Sequence, residues 1–318
     1  MTKLAAVSNL RNLPGYLGRY ERKQQPGAFE FLVSSVFARS FHLPLQNADT
    51  EDATVEHRVI WHGRVDSQRR IFSPASHGPD GVCLACGYSM LIEGTLRGNV
   101  SSQWRKEFVE CLSHYDEFLQ RRNVERNDAY LALVAPQFHQ STYTGFKQKA
   151  LEGYNVVMLE CESLAKICII SDGIRTLRQL DLRHLIKGLV RELRQSGSLA
   201  SFRGDVGRCI AEWEVEMLKQ ERTVYFGLKS YEVMKRAGTD IVGVSDIMLG
   251  LNKDRQFERY LRKLGGGDLA EYVREGLVRE RLARIVEAPS EDLFCKVEGA
   301  DFRGRGLRLI RAVEEIDR

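Results

Sequence analysis

Two acidic residues flank a predicted β-hairpin, and their spacing would allow them to act together. Asp80 belongs to the sequence GPDG at 78–81, and Glu93 ends the second of the two apolar runs that follow. Proline and glycine favour a turn, which places Asp80 at the mouth of the hairpin, while Glu93 ends the second strand on the same rim. The sequence therefore predicts that these two carboxylates meet.

Paired carboxylates on a rigid hairpin are suited to Mg²⁺. This ion binds proteins through one or two carboxylates and keeps waters and phosphate oxygens as its other ligands. It lowers the pKa of a bound water and offsets the charge that builds on a phosphate. The pair therefore predicts metal-assisted phosphodiester hydrolysis with Mg²⁺, for which Mn²⁺ is a candidate substitute.

Helices and strands alternate around this hairpin. Apolar residues at helical spacing predict amphipathic helices over 28–41 and 103–121. Continuous apolar runs over 129–135 and 155–159 have the length of buried strands, with a helix predicted between them. The expected fold class is α/β, a mixed sheet flanked by helices.

Over residues 25–190 the joint pattern resembles the PD-(D/E)xK nuclease superfamily. The order of elements is similar to the cleavage domain of FokI-type and AlwI-type type IIS restriction endonucleases. The resemblance implies a restriction-endonuclease-like fold and cleavage of double-stranded DNA in a restriction or defence role. It also implies roles for five carboxylate or amide residues: metal ligation by Asp80, Glu93 and Glu107, orientation of the metal or its water by Glu30, and support from Gln103 one turn before Glu107.

Thr95 departs from this pattern, because the family usually has lysine at that position. A Glu-x-Thr form resembles the AlwI branch, in which acidic and amide residues on the next helix accompany it. Two interpretations stay open. Thr95 belongs to a variant active site, or the chain is a degenerate nuclease fold kept as a non-catalytic DNA-binding or regulatory protein.

Other residues with chemical potential are weaker candidates. His114 shares a predicted helix face with Gln103 and Glu107, where it could orient a carboxylate or serve a structural role. Cys83 and Cys86 form a lone C-x-x-C, but strand alternation puts them on opposite faces, and no second pair follows at zinc-ligand spacing.

The C-terminal part has a different character. Gly and Ser over 195–205 indicate a linker, which gives a nuclease domain at 1–195 and a second domain at 206–318. Helical periodicity predicts several helices there, including one over 269–286, before a strand-like 293–297 and a closing helix over 307–316. This order favours a winged-helix-like DNA-binding or interaction domain, with a plain helical bundle as the alternative. Four basic residues share a helical face suited to phosphate contacts: Arg255, Arg259, Arg262 and Lys263.

Composition limits the remaining classes of protein to which the chain could belong. The chain of 318 residues is 43% hydrophobic and 28% charged, which is typical of a folded globular protein. No stretch approaches the ~20 apolar residues of a membrane span, and seven scattered cysteines are typical of a reducing compartment, so the expected location is cytoplasmic and away from membranes. The net charge of only +4 predicts local rather than global contact with DNA. Double-strand cleavage would call for a homodimer or a partner subunit.

Overall fold

The computed structural model describes residues 3–68, 70–74, 78–85, 87–96, 101–174, 182–237, 241–252, 272–273, 276, 283–286 and 293–296. By Cα proximity the chain divides into two compact units. The first comprises residues 1–173 and 179–214, and the second comprises residues 174–178 and 215–318.

The described α-helices are, in chain order, α1 (Lys3–Arg11), α2 (Leu13–Leu17), α3 (Gln25–Ser40), α4 (Ser101–Arg122), α5 (Gln140–Leu151), α6 (Cys161–Gly173), α7 (Arg183–Gln195), α8 (Leu199–Ala237) and α9 (Val244–Leu251). The described strands are β1 (Leu45–Asn47), β2 (Arg58–Trp61), β3 (Arg64–Val65), β4 (Ile71–Phe72), β5 (Gly81–Ala85), β6 (Tyr88–Gly94), β7 (Ala129–Ala135), β8 (Val156–Glu160), β9 (Ile241–Gly243), β10 (Ala283–Val286) and β11 (Leu293–Lys296). None of the helices in this described part is both long enough and apolar enough to cross a membrane.

A six-stranded mixed sheet forms the centre of the first unit, in the order β1-β2-β5-β6-β7-β8. Strands β2, β5 and β6 are antiparallel neighbours, whereas β6, β7 and β8 run parallel. Every residue of β7 is buried, as expected for a parallel strand covered on both faces. Helix α3, the β5–β6 hairpin, helix α4 and strand β7 follow one another as predicted, which confirms the α/β fold class, a mixed sheet flanked by helices.

Glycines allow α3 and the central hairpin to pack closely. A Cβ atom at Gly27 would lie 2.3 Å from the backbone carbon of Phe72, so α3 rests directly on β4. The hairpin of β5 and β6 closes with Ala85 opposite Tyr88, and Gly87 in its turn has φ +75°. Glycine adopts this left-handed conformation without strain. The sequence predicts this turn at Gly87-Tyr88, whereas Tyr88 already belongs to β6.

The predicted linker over 195–205 is wrong, because α8 begins at Leu199 and continues without interruption to Ala237. Only three residues turn the chain between α7 and α8. Ser196 shapes this turn, since its hydroxyl donates to the Glu192 carbonyl at 2.8 Å and contacts Asp205 Oδ2 at 2.6 Å. Beyond the turn, a buried apolar stripe outweighs the helix-breaking tendency of the glycines: Leu199, Phe202, Val206 and Cys209.

The second unit contains an antiparallel sheet in the order β10-β11-β9, and α9 follows β9 directly. Helical periodicity predicts a helix over 244–251, which coincides with α9, and β11 lies within the predicted strand over 293–297. The predicted helix over 269–286 is wrong at its end, because 283–286 pairs with 293–296 as a strand. Two β-branched residues, Ile285 and Val286, favour that conformation. The winged-helix assignment stays a prediction. The closing helix over 307–316 and the basic face of Arg255, Arg259, Arg262 and Lys263 lie outside the described residues.

Candidate active site

Asp80 lies in the bend that leads into β5, and its carboxylate is fixed by the neighbouring strand. Its Oδ2 atom accepts a hydrogen bond from the backbone N–H of Gly94 at 2.7 Å. The next residue must be glycine for β5 to begin there, because a Cβ at Gly81 would lie 2.9 Å from both the Ile60 carbonyl oxygen and Ser34 Oγ. The GPDG sequence thus sets a tight bend and presents one carboxylate to the end of β6.

Glu93 lies at the same end of the hairpin as Asp80. Gly81, which follows Asp80, pairs with Ile92, which precedes Glu93. The Asp80 carboxylate also accepts a hydrogen bond from Gly94, the residue after Glu93. The structure therefore brings these two predicted metal ligands to one end of the hairpin.

A histidine from α4 holds the carboxylate of Glu93. His114 Nδ1 lies 2.7 Å from Glu93 Oε1, and both residues are about 7% exposed. An ion pair or hydrogen bond that is shielded from water in this way fixes the orientation of both side chains. Of the two roles left open for His114 by the sequence, the contact corresponds to orientation of a carboxylate.

Thr95 follows β6 directly and is only 3% exposed. Its backbone N–H donates to the Val134 carbonyl at 2.9 Å, which extends the β6–β7 pairing past Gly94. Two residues beyond Glu93, Thr95 lies on the same face of the strand as that carboxylate. The position at which the family usually has lysine therefore holds a neutral side chain in a closed environment.

Glu30 is buried in α3, and Ser73 Oγ donates to its Oε1 atom at 2.7 Å. Its neighbour Phe29 packs at the end of β6, since a Cβ at Gly94 would lie 3.3 Å from the Phe29 ring. Helix α3 therefore packs through Phe29 against the end of β6, the strand that contains Glu93. The sequence alone does not indicate Ser73 as a partner of Glu30, because the two residues are 43 positions apart.

Gln103 and Glu107 lie on α4, where the structure describes their backbone but not their side chains. They precede His114 by eleven and seven residues. With 3.6 residues in a turn, all three positions fall on one face of the helix, and Glu107 lies about 10 Å from His114 along the axis. The face that contains His114 is therefore the face predicted to carry these two residues.

His62 is a residue of this site that the sequence did not reveal. Its Nδ1 atom lies 2.9 Å from the Pro79 carbonyl oxygen, and its backbone N–H donates to the Asp80 carbonyl at 3.0 Å. Burial lowers the pKa of the His62 ring, an effect partly opposed by the bond to Pro79. The signal that the sequence offers for His62 is a histidine directly after a buried strand. Its partner Pro79 lies 17 residues away, so the contact between them leaves no local pattern in the sequence.

The two carboxylates suit Mg²⁺ better than a metal whose ligands must all come from the protein. Within the described part of the chain, no group of three or more His, Cys, Asp and Glu side chains is arranged to hold a metal. Two carboxylates suffice for Mg²⁺, which retains waters. A carboxylate can accept about four bonds, so the contacts from Gly94 and His114 are compatible with ligation. Burial raises the pKa of the Cys83 thiol to about 12.

Comparison with known proteins yields a structural likeness and nothing at the level of sequence. No family model matches the chain. No curated protein matches it either. Among solved structures, the chain is similar to the small subunit of the heterodimeric restriction endonuclease R.BspD6I, with 13% identity and a TM-score of 0.46. The match covers 66% of this chain and 98% of that subunit. The assignment of fold class rests on the order and direction of the strands described above.

Proposed function

We propose that the protein is a divalent-metal-dependent endonuclease that hydrolyses phosphodiester bonds in double-stranded DNA, in a restriction or defence role and of the FokI or AlwI type. The observation that carries the proposal is the hydrogen bond from the Gly94 N–H to Asp80 Oδ2, which ties the Asp80 carboxylate to the residue that follows Glu93. Each carboxylate is held by its own partner, the Gly94 N–H for Asp80 and His114 for Glu93.

Asp80 and Glu93 would hold Mg²⁺, or Mn²⁺ as a substitute, with Glu107 as a further ligand. When bound, the metal would supply a water of lowered pKa and neutralise charge on the phosphate. The chain itself contributes fixed positions. Because both carboxylates are oriented in advance by hydrogen bonds, little conformational entropy remains to be lost when ligands bind.

Two further residues, Glu30 and Thr95, would act on the metal or on the attacking water. Glu30, fixed by Ser73, would orient the metal or the attacking water from α3. Thr95 offers a hydroxyl group, which can orient a water but carries no charge. Neutralisation of the phosphate would therefore depend on the divalent ion more strongly than in a site with lysine.

The burial of Thr95 also favours a second candidate function. A nuclease fold without the usual lysine could bind DNA or regulate a partner without cleaving. In that case Asp80 and Glu93 would keep the hairpin end polar, and the chain would show DNA binding without turnover. The two candidates differ in one measurable property, metal-dependent cleavage.

Contacts with DNA and with other chains extend the proposal. One pair of carboxylates serves one phosphodiester bond at a time, so a second copy or a partner subunit would cut the other strand. The C-terminal unit would contact phosphates through Arg255, Arg259, Arg262 and Lys263. Replacement of these residues by glutamine should weaken DNA binding and reduce its salt dependence.

Supercoiled plasmid provides the direct test. Wild-type protein incubated with Mg²⁺ or Mn²⁺ should give nicked or linear DNA, and EDTA should abolish the product. Glu93→Gln preserves the shape of the side chain and an acceptor for His114 but removes the charge, so it should be inactive. Glu117→Gln, a charge-matched change at an exposed position of α4, should remain active. Binding without cleavage by the wild-type protein under all metal conditions would favour the non-catalytic candidate.

A further inference from the structure

We propose that His62 is a positioning residue that sets the direction of the Asp80 carboxylate, an inference that rests on the proposed function of Asp80 as a metal ligand. The two hydrogen bonds from His62 reach the carbonyl oxygens on either side of the Asp80 Cα atom. The Pro79 carbonyl belongs to the peptide before that atom, and the Asp80 carbonyl belongs to the peptide after it.

Fixing these two peptide planes fixes φ and ψ of Asp80, and with them the direction of its Cα–Cβ bond. The backbone bond from His62 continues the β2–β5 ladder by one pair beyond Trp61 and Gly81. The side-chain bond is an addition to this ladder, made where the chain bends away at Pro79. One residue therefore controls the conformation of the bend from both sides.

The His62 ring can perform this task in only one tautomer. A carbonyl oxygen has no proton to donate, so Nδ1 must carry the hydrogen. This holds for the neutral ring and for the protonated ring, since both can have a proton on Nδ1. The positioning role therefore requires a donor at Nδ1 and does not require the ring to change charge.

The end of β2 holds His62 firmly enough for this role. Trp61 is 2% exposed, and its ring packs against Phe31 with centroids 5.1 Å apart. On the other side, the Gly63 carbonyl accepts a hydrogen bond from Asn47 Nδ2 at 2.8 Å. A Cβ at Gly63 would lie 2.1 Å from the Trp61 ring, so the backbone here has little room to move. A side chain that positions others must itself be fixed in this way.

Two substitutions separate the donor from the ring. His62→Asn can place an N–H group at the same number of bonds from Cα as Nδ1, whereas His62→Leu has a similar size and no donor. Cleavage of supercoiled plasmid is measured across a Mg²⁺ titration, with thermal melts of each variant. We expect His62→Leu to lose about tenfold in rate, the equivalent of one hydrogen bond, and His62→Asn to recover at least half of the wild-type rate. A purely structural ring would give no such rescue.

A second measurement does not depend on activity. Nitrogen-15 chemical shifts of the His62 ring report which ring nitrogen carries the proton in the neutral form, and we expect Nδ1. A neutral ring protonated only on Nε2 would overturn the proposal, as would equal activity in His62→Leu and wild type, or equal loss in both folded variants. If His62→Leu does not fold, His62→Phe provides the variant without a donor. Absence of cleavage by wild-type protein would instead refute the proposed function, and the nitrogen shifts would still test the bond to Pro79.

Discussion

Replacement of Asp80 by alanine or by asparagine should separate its proposed role in catalysis from its role in stability. Both changes remove the charge, and both relieve any repulsion between Asp80 and Glu93 when no metal is bound. Only alanine also removes the acceptor for the Gly94 N–H, which lies 2.7 Å from Oδ2. A comparison of the two variants therefore isolates this hydrogen bond.

The expected magnitude follows from the geometry. The bond that asparagine keeps is between neutral groups, and such hydrogen bonds contribute about 1 kcal/mol. For a domain of about 150–250 residues, a change of 1 kcal/mol shifts Tm by about 2–4 °C. Asp80→Ala should therefore melt about 2–4 °C below Asp80→Asn, whose amide oxygen still accepts from Gly94.

Cleavage should respond differently, because both variants lack a charged ligand. We expect plasmid cleavage with Mg²⁺ to fall at least about 100-fold in both, more than the loss usually caused by changing a group that only supports a ligand. The assay is product formation against time, with circular-dichroism melts of the same preparations. Cleavage by Asp80→Asn at the wild-type rate would refute the metal-ligand assignment, and identical melting of the two variants would refute a stabilising bond to Gly94.

Three further outcomes can be measured on the same protein. Thr95→Lys should lower Tm, because burial of an ammonium group at a position that is only 3% exposed costs roughly several kcal/mol. A folded Thr95→Lys variant that cleaves with weaker Mg²⁺ dependence would show instead that this position opens toward the phosphate. Gly27→Ala should lower Tm through contact with the backbone of Phe72 at 2.3 Å, whereas Gly173→Ala, with open space around it, provides the control and should not. Cys83, buried and with its pKa raised to about 12, should resist iodoacetamide at pH 8 until the protein is unfolded, and rapid labelling of native protein would contradict its placement.

The main elements of the first unit could be predicted from periodicity because their signals are local. The apolar run at 129–135 coincides with β7, and the spacing of apolar residues over 103–121 corresponds to α4. The linker prediction over 195–205 was wrong because glycine and serine lower helix propensity by only small amounts. Burial of the stripe that begins at Leu199 decides the outcome, and this burial depends on neighbours distant in sequence.

The candidate site shows the same division between local and distant information. The turn at Asp80 and the strand that contains Glu93 are both encoded by nearby residues, so their place at one end of the hairpin could be predicted. The contacts of His114, Ser73 and His62 could not, because each joins segments that are 17 to 43 residues apart. The sequence identifies the groups that could bind a metal, whereas the residues that orient those groups can be identified only from the folded structure.

Thr95 illustrates why that assembly matters for mechanism. From the sequence, strand alternation places it on the face of Glu93, which suggests a group directed at the substrate. The structure adds that pairing with β7 continues through the Thr95 N–H to Val134, so the residue is enclosed by the sheet as well as aligned with the site. A cation placed there would be desolvated before it reached a phosphate. If the protein cleaves DNA, Thr95 therefore supplies no positive charge, and the steepness of the Mg²⁺ dependence measures how much of that charge comes from the divalent ion.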